Sequence, residues 1–165
     1  MFKKLMNKKL LKNQKGLTLI ELLAVIVILA IVAAIAVPAI GNIIENSRYN
    51  AVKADAINAL NAAHLYYTDN PGGETNGEDG VGDTTNSINI TKLKKAKYLE
   101  SGGKLEGTSV VSEITISSGN PKKISGTIKY SGNKQVIFKG AEISDINADN
   151  KKGSSADTKS IGTGS

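Results

Sequence analysis

The sequence predicts an α+β fold: a long N-terminal helix, apolar first and amphipathic later, packed on a small head built around an antiparallel β-sheet. Three observations predict it. Residues 22–40 run without a charge or a strongly polar side chain. Beyond them, Tyr49, Val52, Ala56, Leu60, Ala63 and Tyr67 recur at steps of three or four, the spacing of one helix face. Residues 110–139 then hold three segments that alternate apolar and polar, separated by turn dipeptides. A chain of 165 residues accommodates one compact unit with an appendage, and excludes a large multidomain enzyme.

The apolar run, LLAVIVILAIVAAIAVPAI from Leu22 to Ile40, is 19 residues long, and with Leu17 to Glu21 it is long enough to cross a bilayer as a helix. Lys3, Lys4, Lys8, Lys9, Lys12 and Lys15 precede it with no acid among residues 1–16, so the positive-inside rule leaves the N-terminus cytoplasmic and the rest outside. A secretory signal would have a shorter apolar region ending at an Ala-x-Ala-like site. Glu21, at the mouth of the run, is not explained by a plain anchor. A carboxylate at the bilayer centre costs roughly 2.5 to 3.5 kcal/mol on insertion scales, less near the interface. Pro38, inside the run, removes one helical hydrogen bond and kinks or loosens the turn before it.

The amphipathic half carries the helix on to about Thr68, where Asp69-Asn70-Pro71-Gly72-Gly73 stops it. His64 lies in this half and, with no second histidine, reads as a packing or surface residue. Residues 69–87 contain five glycines and five acids and read as a solvated surface loop, without the EF-hand order of ligands. Thr91 to Leu99, TKLKKAKYL, reads as a short helix with Leu93, Ala96 and Tyr98/Leu99 inward and its lysines toward water. The strands are expected at Val110 to Ser117, Ile124 to Tyr130 and Gln135 to Lys139, with turns at Gly119-Asn120 and Gly132-Asn133, as an antiparallel meander. From Asn147 onward the only large apolar residue is Ile161.

Composition narrows the chemistry. With no cysteine there is no disulfide, thiolate metal site or cysteine nucleophile, and the single histidine argues against a histidine-rich metal site or a Ser-His-Asp triad. The Ser, Asp and Lys residues of the Gly-rich loops form no catalytic constellation, so no enzyme and no cofactor is expected. Asp145, Asp149 and Asp157 suggest calcium only weakly, and Asn89-Ile90-Thr91 matches a glycosylation sequon. The net charge of +6 comes from 21 basic and 15 acidic groups, and the six lysines of residues 1–16 account for all of the excess. Nucleic acid therefore has no global basic patch to support it as a partner.

The junction Lys15-Gly16-Leu17-Thr18-Leu19-Ile20-Glu21-Leu22 and the stretch KGLTLIELLAVIVILAIVAAIAVP resemble the type IV pilin family, whose N-terminal features pseudopilins share. The resemblance covers roughly the first 70 residues. It implies a long helix on an antiparallel-sheet head, cleavage between Gly16 and Leu17 by a prepilin peptidase, and N-methylation of Leu17. It also implies assembly roles for Glu21, with Thr18 beside it, and for Pro38. Glu21 would pair with the N-terminal amine of a neighbouring subunit as identical subunits join a helical filament, drawn from the membrane by the pilus assembly machinery.

Leu17 stands where the family more usually has Phe, and Ala30 where many pilins have a helix-loosening Gly, so melting of the helix in a filament has less support here. The absence of cysteine, and so of the C-terminal disulfide loop of many Gram-negative pilins, points toward a Gram-positive-like major pilin. On this reading residues 1–16 are a basic leader, 17–40 the transmembrane and filament-core helix, 41–69 the amphipathic helix of the head, 70–146 the globular head, and 147–165 a flexible polar tail.

The expected function is that of a structural subunit of an extracellular pilus used for adhesion, motility or biofilm, lodged in the cytoplasmic membrane before assembly. The alternative is a pseudopilin of a type II secretion or competence DNA-uptake system. A third reading, an anchored binding protein that never polymerises, leaves Glu21 unexplained.

Overall fold

The computed structural model describes residues 18–71, 86–155 and 158–164. The chain divides into two compact units, Met1–Gly41 and Asn42–Ser165. Helix α1, Leu19–Asp69, contains Pro38 within its length. From Thr18 to Ile44 every residue is exposed except the half-buried Ala36.

In the second unit α1 buries Tyr49, Val52, Ala56, Ala59, Leu60, Ala62, Ala63 and Tyr66. This is the expected face, with Tyr66 taking the fully buried place and Tyr67 half-buried beside it. Tyr49, Val52 and Leu60 supply the apolar bulk of the stripe, and the alanines between them complete its buried face. The helix ends where Asn70 turns back, its backbone N–H and its side-chain amide both donating to the Tyr66 carbonyl.

The sheet has five strands in sequence order: β1 Ser87–Asn89, β2 Val110–Ser117, β3 Ile124–Ser131, β4 Lys134–Ala141 and β5 Thr158–Ile161. The three expected strands are present, and β3 pairs antiparallel with β2 on one side and β4 on the other. Their inward residues, Ile114, Ile116, Ile124, Ile128, Tyr130, Val136 and Phe138, join the helix stripe in one core. Gly126, between Ile124 and Ile128, has φ +140, and a Cβ there would strike the Ile114 side chain, so this inward position is closed to any larger residue. Strand β1 adds Ile88 to the core and pairs antiparallel with β2.

The short helix α2, Ile90–Lys95, stops before the expected Leu99. Lys97 adopts a left-handed φ of 62°, and the backbone N–H groups of Tyr98 and Leu99 return to the Leu93 carbonyl, closing the helix in the manner of a C-terminal cap. Leu93 faces inward as expected, and Lys94 is held by Glu106 rather than turned wholly to water.

The expectation of a flexible polar tail over residues 147–165 is corrected in its described part. Helix α3, Ile143–Ala148, continues into the segment that carries the chain back alongside β4, where β5 pairs in parallel, Ile161 opposite Phe138. A parallel pair needs such a crossover, and α3 with the residues after it provides one. Lys159 and Ile161 are both buried. The alternation of β5 escapes the sequence because one of its two inward residues is a lysine, whose methylene stem packs as an apolar chain.

Candidate functional site

Two groups of residues carry chemistry, one at the start of α1 and one where the C-terminal segment meets the same helix. At the start of α1, Thr18 is the residue before the first helical turn and Glu21 is the third residue within it. The Thr18 backbone N–H donates to Glu21 Oε2 at 2.7 Å, and the Thr18 hydroxyl donates to the same oxygen at 2.9 Å. The Glu21 N–H donates in return to Thr18 Oγ1 at 3.2 Å. This is a capping box: two helix-end donors are satisfied reciprocally, and a negative charge sits at the positive end of the helix dipole.

The sequence spacing Thr-x-x-Glu carries this signature, so the structure supplies a local role for Glu21 that the reading of a lone carboxylate overlooked. Both hydrogen bonds use Oε2, and among the described residues Oε1 accepts none. Gly16 and Leu17, the expected cleavage junction, lie outside the described residues, as do the leader, Asp157 and loop residues 72–85.

Behind the box, α1 is long and apolar enough to cross a membrane, and none of its most apolar stretch is buried within the chain. Leu19, Ile20, Leu22, Val25, Ile28, Ile31, Ile35 and Val37 are all more than half exposed, and at about 100° per residue they fall on every side of the helix. A helix apolar all round is stable only where lipid or other protein surrounds it. Pro38 has no N–H to donate to the Ala34 carbonyl one turn earlier, which leaves a weak point in the ladder without ending the helix.

The second group is a clasp. Tyr49 on α1 donates its hydroxyl to Asp149 Oδ2 at 2.5 Å; Lys53, one turn on, donates to the carbonyl of Asp149 and lies 3.3 Å from its carboxylate. Lys151 approaches the other carboxylate oxygen at 3.0 Å. The Asp149 side chain is only 3% exposed. Burial pushes its acid pKa up, but the bonds from Tyr49, Lys151 and Lys53 outweigh burial and hold it below the usual aspartate range. For Tyr49 the effects add: burial first, then the bond to Asp149, push the phenol far above its ordinary value.

Four further contacts tie the segment down. Tyr130 donates to the Gly153 carbonyl at 2.7 Å, and the Ser154 N–H donates to Asn46 Oδ1 at 3.0 Å. Lys134 bridges Glu45 and the Ser154 carbonyl. The buried Lys159 ammonium donates to the Tyr130 hydroxyl at 3.1 Å and sits over the rings of Tyr49 and Tyr130 at 5.5 and 5.7 Å.

The remaining candidates are occupied by ordinary structural work. Asp145 closes a capping box with Glu142 at the start of α3, and Asp149 is committed to the clasp, so neither is arranged as a calcium ligand. Asn89, the sequon residue, caps α2 by accepting from the Lys92 N–H at 2.8 Å and donates its amide to Glu113 at 2.9 Å. His64 is exposed and borders a shallow groove shared with Asn61, Pro121, Lys122 and Glu142.

No curated protein and no solved structure matches the chain. Residues 11–37 match the family described as the prokaryotic N-terminal methylation motif, a span that takes in the Lys15-Gly16-Leu17 junction, the Thr18–Glu21 capping box and the apolar helix as far as Val37. The chain thus carries, in the segment where its apolar residues find no cover of their own, the signature of type IV pilins and pseudopilins.

Proposed function

We propose that the chain is the precursor of a structural filament subunit, a type IV pilin, cut between Gly16 and Leu17, methylated on the Leu17 amine and polymerised through the apolar half of α1. The observation that carries this reading is the conjunction, inside the matched motif, of an uncovered apolar helix with a single carboxylate four residues from the proposed cleavage point. Before assembly the helix lies in the cytoplasmic membrane with the head outside. After assembly the same side chains pack against identical subunits in an extracellular filament. The apolar surface is covered in both states.

Glu21 carries the transfer between them. In the single chain its Oε2 serves Thr18. On docking, Oε1 takes the Leu17 amine of a neighbour, which gives the carboxylate a countercharge in apolar surroundings. Prepilin peptidase and the pilus assembly machinery are the implied partners. The signature belongs to structural proteins, and no catalytic role is assigned.

N-terminal mass analysis of the membrane and sheared-filament fractions tests the reading. A mature chain beginning at methylated Leu17 is expected, and Gly16→Val should leave the precursor uncut in the membrane. A filament form that starts at Met1, or a chain cut beyond Ile40, would overturn it. A pseudopilin of a secretion or DNA-uptake system would be processed identically but would not dominate the sheared surface filaments.

A further inference from the structure

The clasp between α1 and the C-terminal segment builds a basic rim at the end of the head where the apolar run stops. Ile43 and Ile44 are 66% and 45% exposed. Within the next turn and a half, Glu45, Asn46, Arg48 and Tyr49 bind the β3–β4 turn and residues 149–154. Five cations gather on this rim, Arg48, Lys53, Lys134, Lys151 and Lys152, against two anions, Glu45 and Asp149. Lys134 balances Glu45, and Lys53 balances Asp149, so the rim keeps three positive charges in excess.

Arg48, Lys151 and Lys152 are exposed. The two lysines border a polar depression of about 260 Å³ whose other walls include Asn46, Asn50 and Asn150. Its only acid, Asp149, is already held by Tyr49, Lys53 and Lys151. Cationic and amide donors around a shallow concavity, beside exposed isoleucines, suit a phosphate group at the edge of an apolar phase.

We propose that this rim is a contact surface for anionic phospholipid headgroups, which seats the head on the outer face of the membrane while the subunit awaits assembly. The inference rests on the membrane reading above. Lysine and arginine beside an anionic bilayer are each attracted within about a Debye length, so Arg48, Lys151 and Lys152 act together where Lys97, near the opposite end of the amphipathic helix segment, does not. Lys97 lies next to Tyr98, whose hydroxyl donates to Asp69 at the far end of α1.

The full chain is reconstituted into neutral phosphatidylcholine vesicles and into vesicles with about 30% phosphatidylglycerol, recovered by flotation, and labelled with a membrane-impermeant amine reagent. Peptide mass analysis should show Lys151 and Lys152 labelled roughly fivefold more slowly in anionic vesicles, with Lys97 equal in both. About 1 M salt should remove the difference. Arg48→Gln, at an exposed position, should cut the protection to about twofold. Equal labelling of Lys151 and Lys152 in the two vesicles, an equal slowing of Lys97, or the same protection from inorganic phosphate with neutral vesicles would overturn the proposal. A chain that floats with neither vesicle overturns the membrane reading itself.

Discussion

The segment from Leu19 to Ile44 and the head are built from the same aliphatic residues and use them in opposite ways. In the head, Ile88, Ile114, Ile116, Ile124, Ile128 and Ile146 are buried to 3% exposure or less against one helix face. In the first segment Ile20, Ile28, Ile31 and Ile35 are each at least 59% exposed. The head is stabilised by its own burial. The first segment is a helix whose stability depends on what surrounds it, lipid or other copies of the chain, because a bare apolar rod in water has no favourable term to offset its exposed surface. Polar contacts divide the same way: one local capping box at the start of α1, and a clasp of long-range bonds in the head. Substitutions in the two regions should therefore fail in different assays.

Glu21→Val should have the largest effect, on assembly, beside the small loosening of the helix start that the lost capping box brings. If Glu21 pairs with a neighbour's Leu17 amine, losing the carboxylate leaves a buried cation unpartnered at each subunit addition, costing about 3 to 5 kcal/mol per step. Sheared surface filaments should disappear by immunoblot and electron microscopy, while processed subunit accumulates in the membrane. The melting of the detergent-solubilised protein's head should stay where it is. Normal filaments from the variant would remove the distinction between the two regions.

Asp149→Ala should do the reverse. It strips Tyr49 and Lys53 of a partner that is 3% exposed, and the head should lose about 2 to 4 kcal/mol in denaturant titration of the full chain in detergent. The pH dependence has a definite sign. A carboxyl held below its ordinary value in the folded state contributes stability above the unfolded aspartate pKa of about 3.9 and loses it as the pH falls below that. The wild-type head should weaken on acidification below about pH 4, and Asp149→Ala should flatten that limb. Tyr49 titrates with the opposite sense. Its raised phenol keeps its contribution below about pH 10 and loses it above, and Tyr49→Phe should flatten the alkaline limb.

A smaller loss is expected at Gly153, where the C-terminal segment crosses α1. A Cβ there would collide with the Glu45 carbonyl oxygen and come within 2.7 Å of Tyr49 Cβ. Gly153→Ala should destabilise the head by about 1 to 3 kcal/mol through overpacking, read in the same titration. The smallest effect belongs to Thr18→Ala. Losing one side of the capping box costs about 1 kcal/mol of helix start, seen as faster amide exchange over residues 19–22, with the head unmoved. A change in head stability from Thr18→Ala would show that the two regions are coupled.

Much of the fold was legible because the periodic signals were strong. The stripe from Tyr49 to Ala63 and the strands at Val110 to Ser117 and Ile124 to Tyr130 follow from side-chain spacing alone, and the buried residues agree. The end of α2 was less legible, since a left-handed Lys97 has no sequence mark of the kind glycine provides. The Thr18–Glu21 box is present in the Thr-x-x-Glu spacing, which fits a helix cap as well as a charge at the mouth of an apolar run. The clasp had no such mark. Tyr49, Asp149 and Lys159 are too far apart in the chain for any local pattern to join them.

The sequence by itself determined the elements whose cause is local or compositional: the uninterrupted apolar helix, the basic segment ahead of it, the matched junction and the alternating strands. Tertiary structure alone decided the fate of residues 147–165. Their composition reads as a polar tail, yet Asp149 closes on Tyr49 and Lys53, and Lys159 and Ile161 enter the core as a parallel strand. The physical reason is that a polar side chain belongs to water only until the fold offers it better partners. A buried lysine over two tyrosine rings, and an aspartate with three donors, are satisfied in ways that exist only once the helix and sheet have brought those groups together.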